Sequence, residues 1–475
     1  MAESDKIKYP TDYHLEELFL IASGQMDMLD LKPFLVEMNY FEDIFSNTIS
    51  GRLFLSDAVG VLNFSSMHGT EFIKFKFRKH PDLDPIERTF RVYSVSNRQQ
   101  DRGQHFDSYN IDFCSEELVL AEQYRISKGY IGKSITFIID DILKNFLLIG
   151  KEKTKNYVLE ETKGNYDFVL PNKKLFETIN WLATYAQPKT GKPGGDMLFF
   201  ENAKGYYFSS LQSLYNLKPQ FTYYFDPKNV KLSIDIKDNI NNSDKSLGRE
   251  IFNVLNYEIM NSFDCMDAVS KGIFANKIKS FDPITRQHFN YYFNYEEDYF
   301  KQATKLNDHK VINNYKNRFE RKMYDKPPTN PILESGTYRV VVTNKDQHVE
   351  EFLQGKQEHL KKDLFIDQYM PFRVCQLSLA NYNKLKLTVP GNSDLMAGRT
   401  LTFKSFGSQH VEKGNEKKPD PYLSGDYLIS AVRHTFTSAK YMTVVEVIKE
   451  SHDEQYADIK EDELWRALVK GIQNP

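Results

Sequence analysis

Leu385-Lys-Leu-Thr-Val-Pro-Gly391, followed closely by Met396-Ala-Gly-Arg-Thr-Leu-Thr-Phe403, is the stretch that decides the fold. Leu385, Leu387 and Val389 alternate with Lys386 and Thr388, and Leu401 and Phe403 alternate with Thr400, Thr402 and Lys404. A period of two gives each strand one buried and one solvated face. Gly391 and Gly398 stand where a Cβ would obstruct a turn. Gly425–His434 and Tyr441–Ile448 supply two more strands after a long polar loop. Four such strands predict a small antiparallel barrel, whose closure removes exposed edges.

A second β-rich unit is expected near the other end of the chain, over 33–115. Phe34, Val36 and Met38 alternate, and Arg52–Ser56 follows a polar turn. In Glu71–Arg78, Ile73, Phe75 and Phe77 share one face while Lys74, Lys76 and Arg78 share the other. Phe90–Val95 and Tyr109–Phe113 add two more alternating runs. The middle of the chain changes character. Ser115 ahead of Glu116 and Glu117 reads as a helix cap. Ile135, Ile138, Ile139, Ile142, Leu143, Phe146 and Leu147 form the stripe of an amphipathic helix, and 171–186 repeats the device. Met197–Phe200 and Tyr206–Ser209 read as a hairpin. Later, Val254–Ile259, Ala268–Lys271, Gly272–Ile278 and Phe372–Leu379 read as strands and 349–365 as a helix.

The expected fold class is therefore mainly β with an α+β insertion. The expected division is an N-terminal arm and first barrel over 1–130, an inserted α+β domain over 131–245 and a second barrel from 246–295 and 366–450. Residues 296–365 read as an extended connector and helix, and 451–475 as a helical tail. At 475 residues the chain exceeds one ordinary core, in keeping with several domains.

Net charge is −3, which argues against gripping nucleic acid by phosphate neutralisation. Cys114, Cys265 and Cys375 are far apart and show no zinc spacing, so they read as reduced packing residues. The start Met1-Ala-Glu-Ser-Asp-Lys lacks the pattern of a signal peptide, and no apolar run approaches the roughly 18 residues of a membrane span. The sequence thus reads as a soluble protein with no cofactor or metal site. His434 has no G-x-S-x-G serine to pair with, and the neighbours Glu116–Glu117 and Asp140–Asp141 point to different sides of their helices. No enzyme signature is present.

The order of these elements resembles the central baseplate hub protein of contractile-tailed phages. The phage late-control hub protein and the N-terminal part of the VgrG spike belong to the same group. Phe113–Leu118 leading through Tyr124–Lys133 into the helix from Ser134 looks like the exit from the family's first barrel. Asn172–Ala183 with Met197–Asn202 resembles its inserted domain, and Gly425–His434 with Tyr441–Val447 the end of its second barrel. The resemblance implies two pseudo-symmetric barrels and a non-enzymatic homotrimeric ring joining a sixfold tail tube to a threefold spike. It further implies contacts with the central spike protein, the tail tube protein and the surrounding baseplate wedge proteins, and DNA passing transiently through the lumen. The location implied is the virion tail, after synthesis in the host cytoplasm. Lys74, Lys76 and Arg78 are the candidate subunit-interface residues. The alternatives are a tail-carried cell-wall hydrolase or a VgrG-like secretion spike component.

Overall fold

The computed structural model describes residues 9–22, 28–64, 67–79, 85–100, 106–150, 155–190, 195–226, 251–310 apart from 263, 282–285, 287 and 302, then 337–342, 366–406, 419–420 and 422–452. The boundary at 245/246, the reading of 349–365 as a helix and the part of the 451–475 tail beyond His452 lie outside these residues.

Seven strands build the first β unit: β1 (His14–Ile21), β2 (Met28–Asp30), β3 (Leu35–Asp43), β4 (Ser50–Asp57), β5 (Phe72–Arg78), β6 (Ile86–Gln100) and β7 (Asp107–Cys114). They pair in the order β3-β4-β7-β6-β5-β1-β2. Ile73, Phe75 and Phe77 of β5 are wholly buried, as their alternation requires. The Phe34, Val36, Met38 phase is corrected: a bulge at Leu35/Glu37 sets two residues against one, so Leu35 and Met38 turn inward and Val36 is exposed.

The insertion carries α1 (Glu116–Gln123), β8 (Arg125–Ile126), β9 (Gly129–Lys133), α2 (Ile135–Asn145), β10 (Tyr157–Leu159), β11 (Tyr166–Val169) and β12 (Lys173–Lys174). It continues with α3 (Leu175–Ala183), β13 (Met197–Asn202), β14 (Gly205–Ser210) and α4 (Leu211–Tyr215). Ser134 caps α2 by accepting the Phe137 N–H at 3.2 Å. Ile135, Ile138, Ile139, Ile142 and Leu143 are buried against α3 and the β13–β14 hairpin. The helix expected from 171 begins only at Leu175, because Lys173 and Lys174 pair with β8.

Next come β15 (Thr222–Phe225), β16 (Asn256–Asn261), α5 (Cys265–Lys271), β17 (Ala275–Phe281), β18 (His288–Asn294), β19 (His309–Lys310), β20 (Thr337–Val342) and α6 (Ile366–Leu379). Then follow β21 (Asn383–Pro390), β22 (Thr400–Ser405), β23 (Gly425–Thr437), β24 (Tyr441–Lys449) and β25 (Ser451–His452). Two expected strands prove helical. Ala268–Lys271 lies in α5, where Asp264 accepts the Asp267 N–H. Phe372–Leu379 lies in α6, where Cys375, Gln376 and Leu379 are buried at three-and-four spacing. A short apolar run cannot choose between the two periods by itself. Residues 296–300, expected to begin an extended connector, belong to a π-helix (Tyr295–Phe300), and Tyr295 and Tyr299 pack with α5 and α6.

The second β unit runs β15-β22-β23-β24-β21-β16. It returns to its start where the Tyr224 N–H donates to the Phe252 carbonyl at 3.0 Å and the Val254 N–H to the Tyr224 carbonyl at 2.8 Å. Leu385, Leu387, Val389, Leu401, Phe403, Val445 and Val447 fill its core. Gly391 lies against the Tyr441 ring, and Gly398 takes φ +80° beside Phe200.

One strand unites the two units. Thr400–Phe403 of β22 pair with Gly425–Leu428 of β23, while Ala431–Thr437 of β23 pair with β3. The far end of the β23–β24 hairpin, Phe436 and Tyr441, consequently packs in the core of the first unit. The architecture is mainly β with an α+β insertion.

Candidate functional site

Lys74, Lys76 and Arg78 share the outer face of β5, flanked by β1 and β6. Lys74 sits 3.1 Å from Glu87 and 3.3 Å from Glu17, Lys76 sits 3.2 Å from Glu16, and Arg78 is paired with Glu16. Hydrogen bonds donated to Glu87 and Glu17 raise the Lys74 pKa, and the one donated to Glu16 raises that of Lys76. Burial works to raise the Glu16 pKa, but hydrogen bonds from Lys76 and Arg78 outweigh it and hold the carboxyl low. The trio is thus one side of a charge ladder closed within the chain.

His434 is wholly buried. Its Nδ1 lies 2.8 Å from the Tyr441 hydroxyl, and its ring stacks on Tyr40 with centroids 4.4 Å apart. Burial pushes its pKa down to about 3, so the ring is neutral near pH 7 and sealed from solvent. The adjacent carboxylates diverge. Asp140 binds Lys144 and Tyr157 while Asp141 binds Lys128, Tyr130 and Asn145, and Glu117 reaches Lys155 while Glu116 faces Arg91. Cys114 and Cys375 are free and buried, and burial pushes the Cys114 thiol up to about 11. Among the described residues no cluster of His, Cys, Asp and Glu could hold a metal, and no helix is long and apolar enough to cross a membrane. A cleft of about 850 Å³ opens beside the N-terminus of α2, where Lys189 and Glu161 on its rim pair at 2.6 Å.

The functional geometry that sequence reading missed lies inside. Glu201, at the end of β13, accepts the Ile49 N–H at 3.0 Å and the Ser115 hydroxyl at 2.6 Å, and meets Lys155 at 2.6 Å. Ser115, expected to cap α1, makes no cap bond because its hydroxyl donates to this carboxylate instead. Lys155 also meets Glu117 at 2.7 Å. Burial works to discharge Lys155, but the two carboxylates hold its pKa above normal. Glu42 of β3 is likewise buried and accepts the Ala397 N–H at 3.0 Å, while Asn202 donates to the Ala397 carbonyl at 3.0 Å and Arg88 to the Ala203 carbonyl at 3.0 Å. Burial pushes the Glu42 pKa up to about 8. These bonds tie the first β unit, the insertion and the second β unit to one another. One signal was legible: Glu42 falls in phase with the inward Met38 and Tyr40, a core position for a carboxylate.

No protein-family model matches the chain. No curated protein matches it either. Solved structures it is similar to include phage tail and baseplate proteins and type VI secretion components. A tail protein from Neisseria meningitidis aligns at 8% identity and TM-score 0.48, covering 92% of this chain and 97% of that one. The 43 kDa tail protein of prophage MuSo2 from Shewanella oneidensis gives 9% and 0.48, covering 91% and 98%. Prophage tail protein gp18 from Listeria monocytogenes gives 8% and 0.42, covering 97% and 100%. Identities this low transfer no residue roles.

Proposed function

We propose that this protein is a non-enzymatic structural subunit of a phage tail baseplate. Three copies form a ring at the tail tip that docks the sixfold tube to the threefold spike, touches the surrounding wedge proteins and lets DNA pass through its lumen. The reading begins from the order of motifs along the chain. The observation that carries it is β23, which belongs to both β units at once. Sharing a strand makes the two units one block, because neither can turn without breaking ladder hydrogen bonds. A subunit that joins two mechanical partners needs such a block, and the Glu42 and Glu201 bonds fix the insertion to it. A ring of identical subunits needs heterologous contacts that close.

Light scattering on the protein alone and with its spike and tube proteins tests the reading. The expected mass is that of three copies, alone or on meeting the spike. A mass of one copy in every mixture overturns it.

A further inference from the structure

The cleft in the insertion plays no part in the baseplate reading. Its volume of about 850 Å³ is that of a small-molecule site. One wall is the start of α2, where Thr136, Phe137 and Asp140 fall on one face at three-and-four spacing. The facing wall is β10, and the rim is the loop Glu161–Asn165 with Lys189 beside it. These walls are pinned to one another. The Thr136 N–H donates to the Thr162 hydroxyl at 3.0 Å, and the Thr162 N–H donates to the Thr136 hydroxyl at 2.9 Å. The rim loop is tied to the chain beyond α3. There the Lys163 N–H donates to the Gln187 carbonyl and the Lys189 N–H to the Glu161 carbonyl, both at 2.8 Å. Asp140 is spent on Lys144 and the Tyr157 hydroxyl. A cleft built this way keeps its shape without a ligand, which lowers the cost of binding one.

The groups that the cleft turns outward are unspent. Phe137 is 46% exposed, with Lys133 over one side of its ring, 4.6 Å from the centroid. Lys163 and Asn165 are exposed, and their side chains bond to no group among the described residues. Glu161 uses one oxygen on Lys189 and leaves the other open. The Ser134 hydroxyl accepts the Phe137 N–H and keeps its own proton to donate. Asp140 and Glu161 balance Lys163 and Lys189, so the lining charge sums to zero and favours neither an anion nor a cation. Spare donors and spare acceptors thus stand together beside an exposed aromatic ring. A pyranose has the complementary surface. Its hydroxyls both donate and accept around the edge, and its C–H face is apolar and packs on a ring.

We propose that this cleft binds a short saccharide, with one pyranose face against Phe137 and its hydroxyls held by Glu161, Lys163 and Asn165. Glu161 and the Asn165 carbonyl accept, while Lys163, Ser134 and the Asn165 amide donate. A volume of this size takes more than one sugar unit. The site lies wholly within the insertion, so it needs neither the ring of three copies nor a spike.

Saturation-transfer difference NMR on the full chain tests this. The probes are maltotetraose, cellotetraose and chitotetraose, with glucose and N-acetylglucosamine as their single units. Transfer is expected to the ring C–H protons of at least one tetrasaccharide, and less to its single unit. Phe137→Ala should weaken that binding by about tenfold or more. Lys163→Ala with Asn165→Ala, at exposed side chains that bond to nothing else, should weaken it with the thermal melt unchanged. This pair decides the matter if Phe137→Ala does not fold. No transfer to any probe overturns the proposal. Binding that the folded variants leave unchanged also overturns it, since the sugar would then sit elsewhere on the surface. A Gly-Ser peptide of similar length that gives equal transfer, lost in the same variants, overturns it in favour of a peptide site.

Discussion

Two sets of charged residues in this molecule are alike in composition and opposite in behaviour. On the outer wall, Lys74, Lys76 and Arg78 meet Glu16, Glu17 and Glu87 within reach of solvent. At the junction, Glu201, Lys155 and Glu117 meet with Glu201 only 2% exposed. Water already solvates the first set, so each ion pair replaces hydration of similar worth. Lys155 is as open to solvent as the wall cations, but Glu201 has no water to fall back on. Each of its oxygens depends on a donor from another part of the fold, and losing one partner strands the rest. The wall sets what the surface can bind, whereas the junction holds the block together.

The largest expected effect comes from breaking the junction. Glu201→Ala removes the acceptor of the Ile49 N–H and the Ser115 hydroxyl and leaves Lys155 with one carboxylate. Urea unfolding should show a loss of about 3–5 kcal/mol. A loss below about 1 kcal/mol would place water in the junction and erase the contrast with the wall.

Glu42 sharpens the comparison through pH. Its folded pKa of about 8 lies above the ordinary carboxylate value of 4.5. The native state therefore keeps a proton that the unfolded chain releases. This contribution is fully present below pH about 4.5 and is lost as pH rises through 8. Glu42→Gln, neutral throughout, should flatten that decline and be more stable than the wild type at pH 8, by on the order of a few kcal/mol. Parallel stability–pH curves for the two proteins would show Glu42 to be hydrated.

A smaller effect is expected at His434. Replacing it with Ala removes the bond to Tyr441 and should cost about 1–2 kcal/mol. Peptidoglycan hydrolysis by the wild type that vanishes in the folded variant would instead support the hydrolase alternative.

The wall should respond least. Neutralising Lys74, Lys76 and Arg78 together, each to Gln, should produce the smallest stability change of the series, and one that shrinks in high salt. Because each cation already has an acid, the protein should bind duplex DNA more weakly than about 10 µM at physiological salt. Tight binding with a steep salt slope would mean that the ladder opens to phosphates and would overturn the conduit reading.

The alternation in Leu385–Val389, Leu401–Phe403 and Ile73–Phe77 was enough to determine strands and their inward faces, because strand period is a property of neighbours along the chain. The Ile135–Leu143 stripe determined a helix for the same reason. Three features escaped that logic. The bulge at Leu35/Glu37 depends on how β3 meets β4, and so it inverted a phase that local pattern alone had set. The choice of helix for Phe372–Leu379 was settled by packing against Tyr295 and Tyr299, which are far away in sequence. The hydroxyl of Ser115 left its helix end for Glu201, 86 residues on. Sequence spacing carries no information about such distant partners, and a buried polar group takes whichever donor or acceptor the fold brings to it. The sharing of β23 between two β units is of the same kind. Its apolar pattern announced a strand, but only tertiary pairing decided that half of it would close one unit and half would join the other.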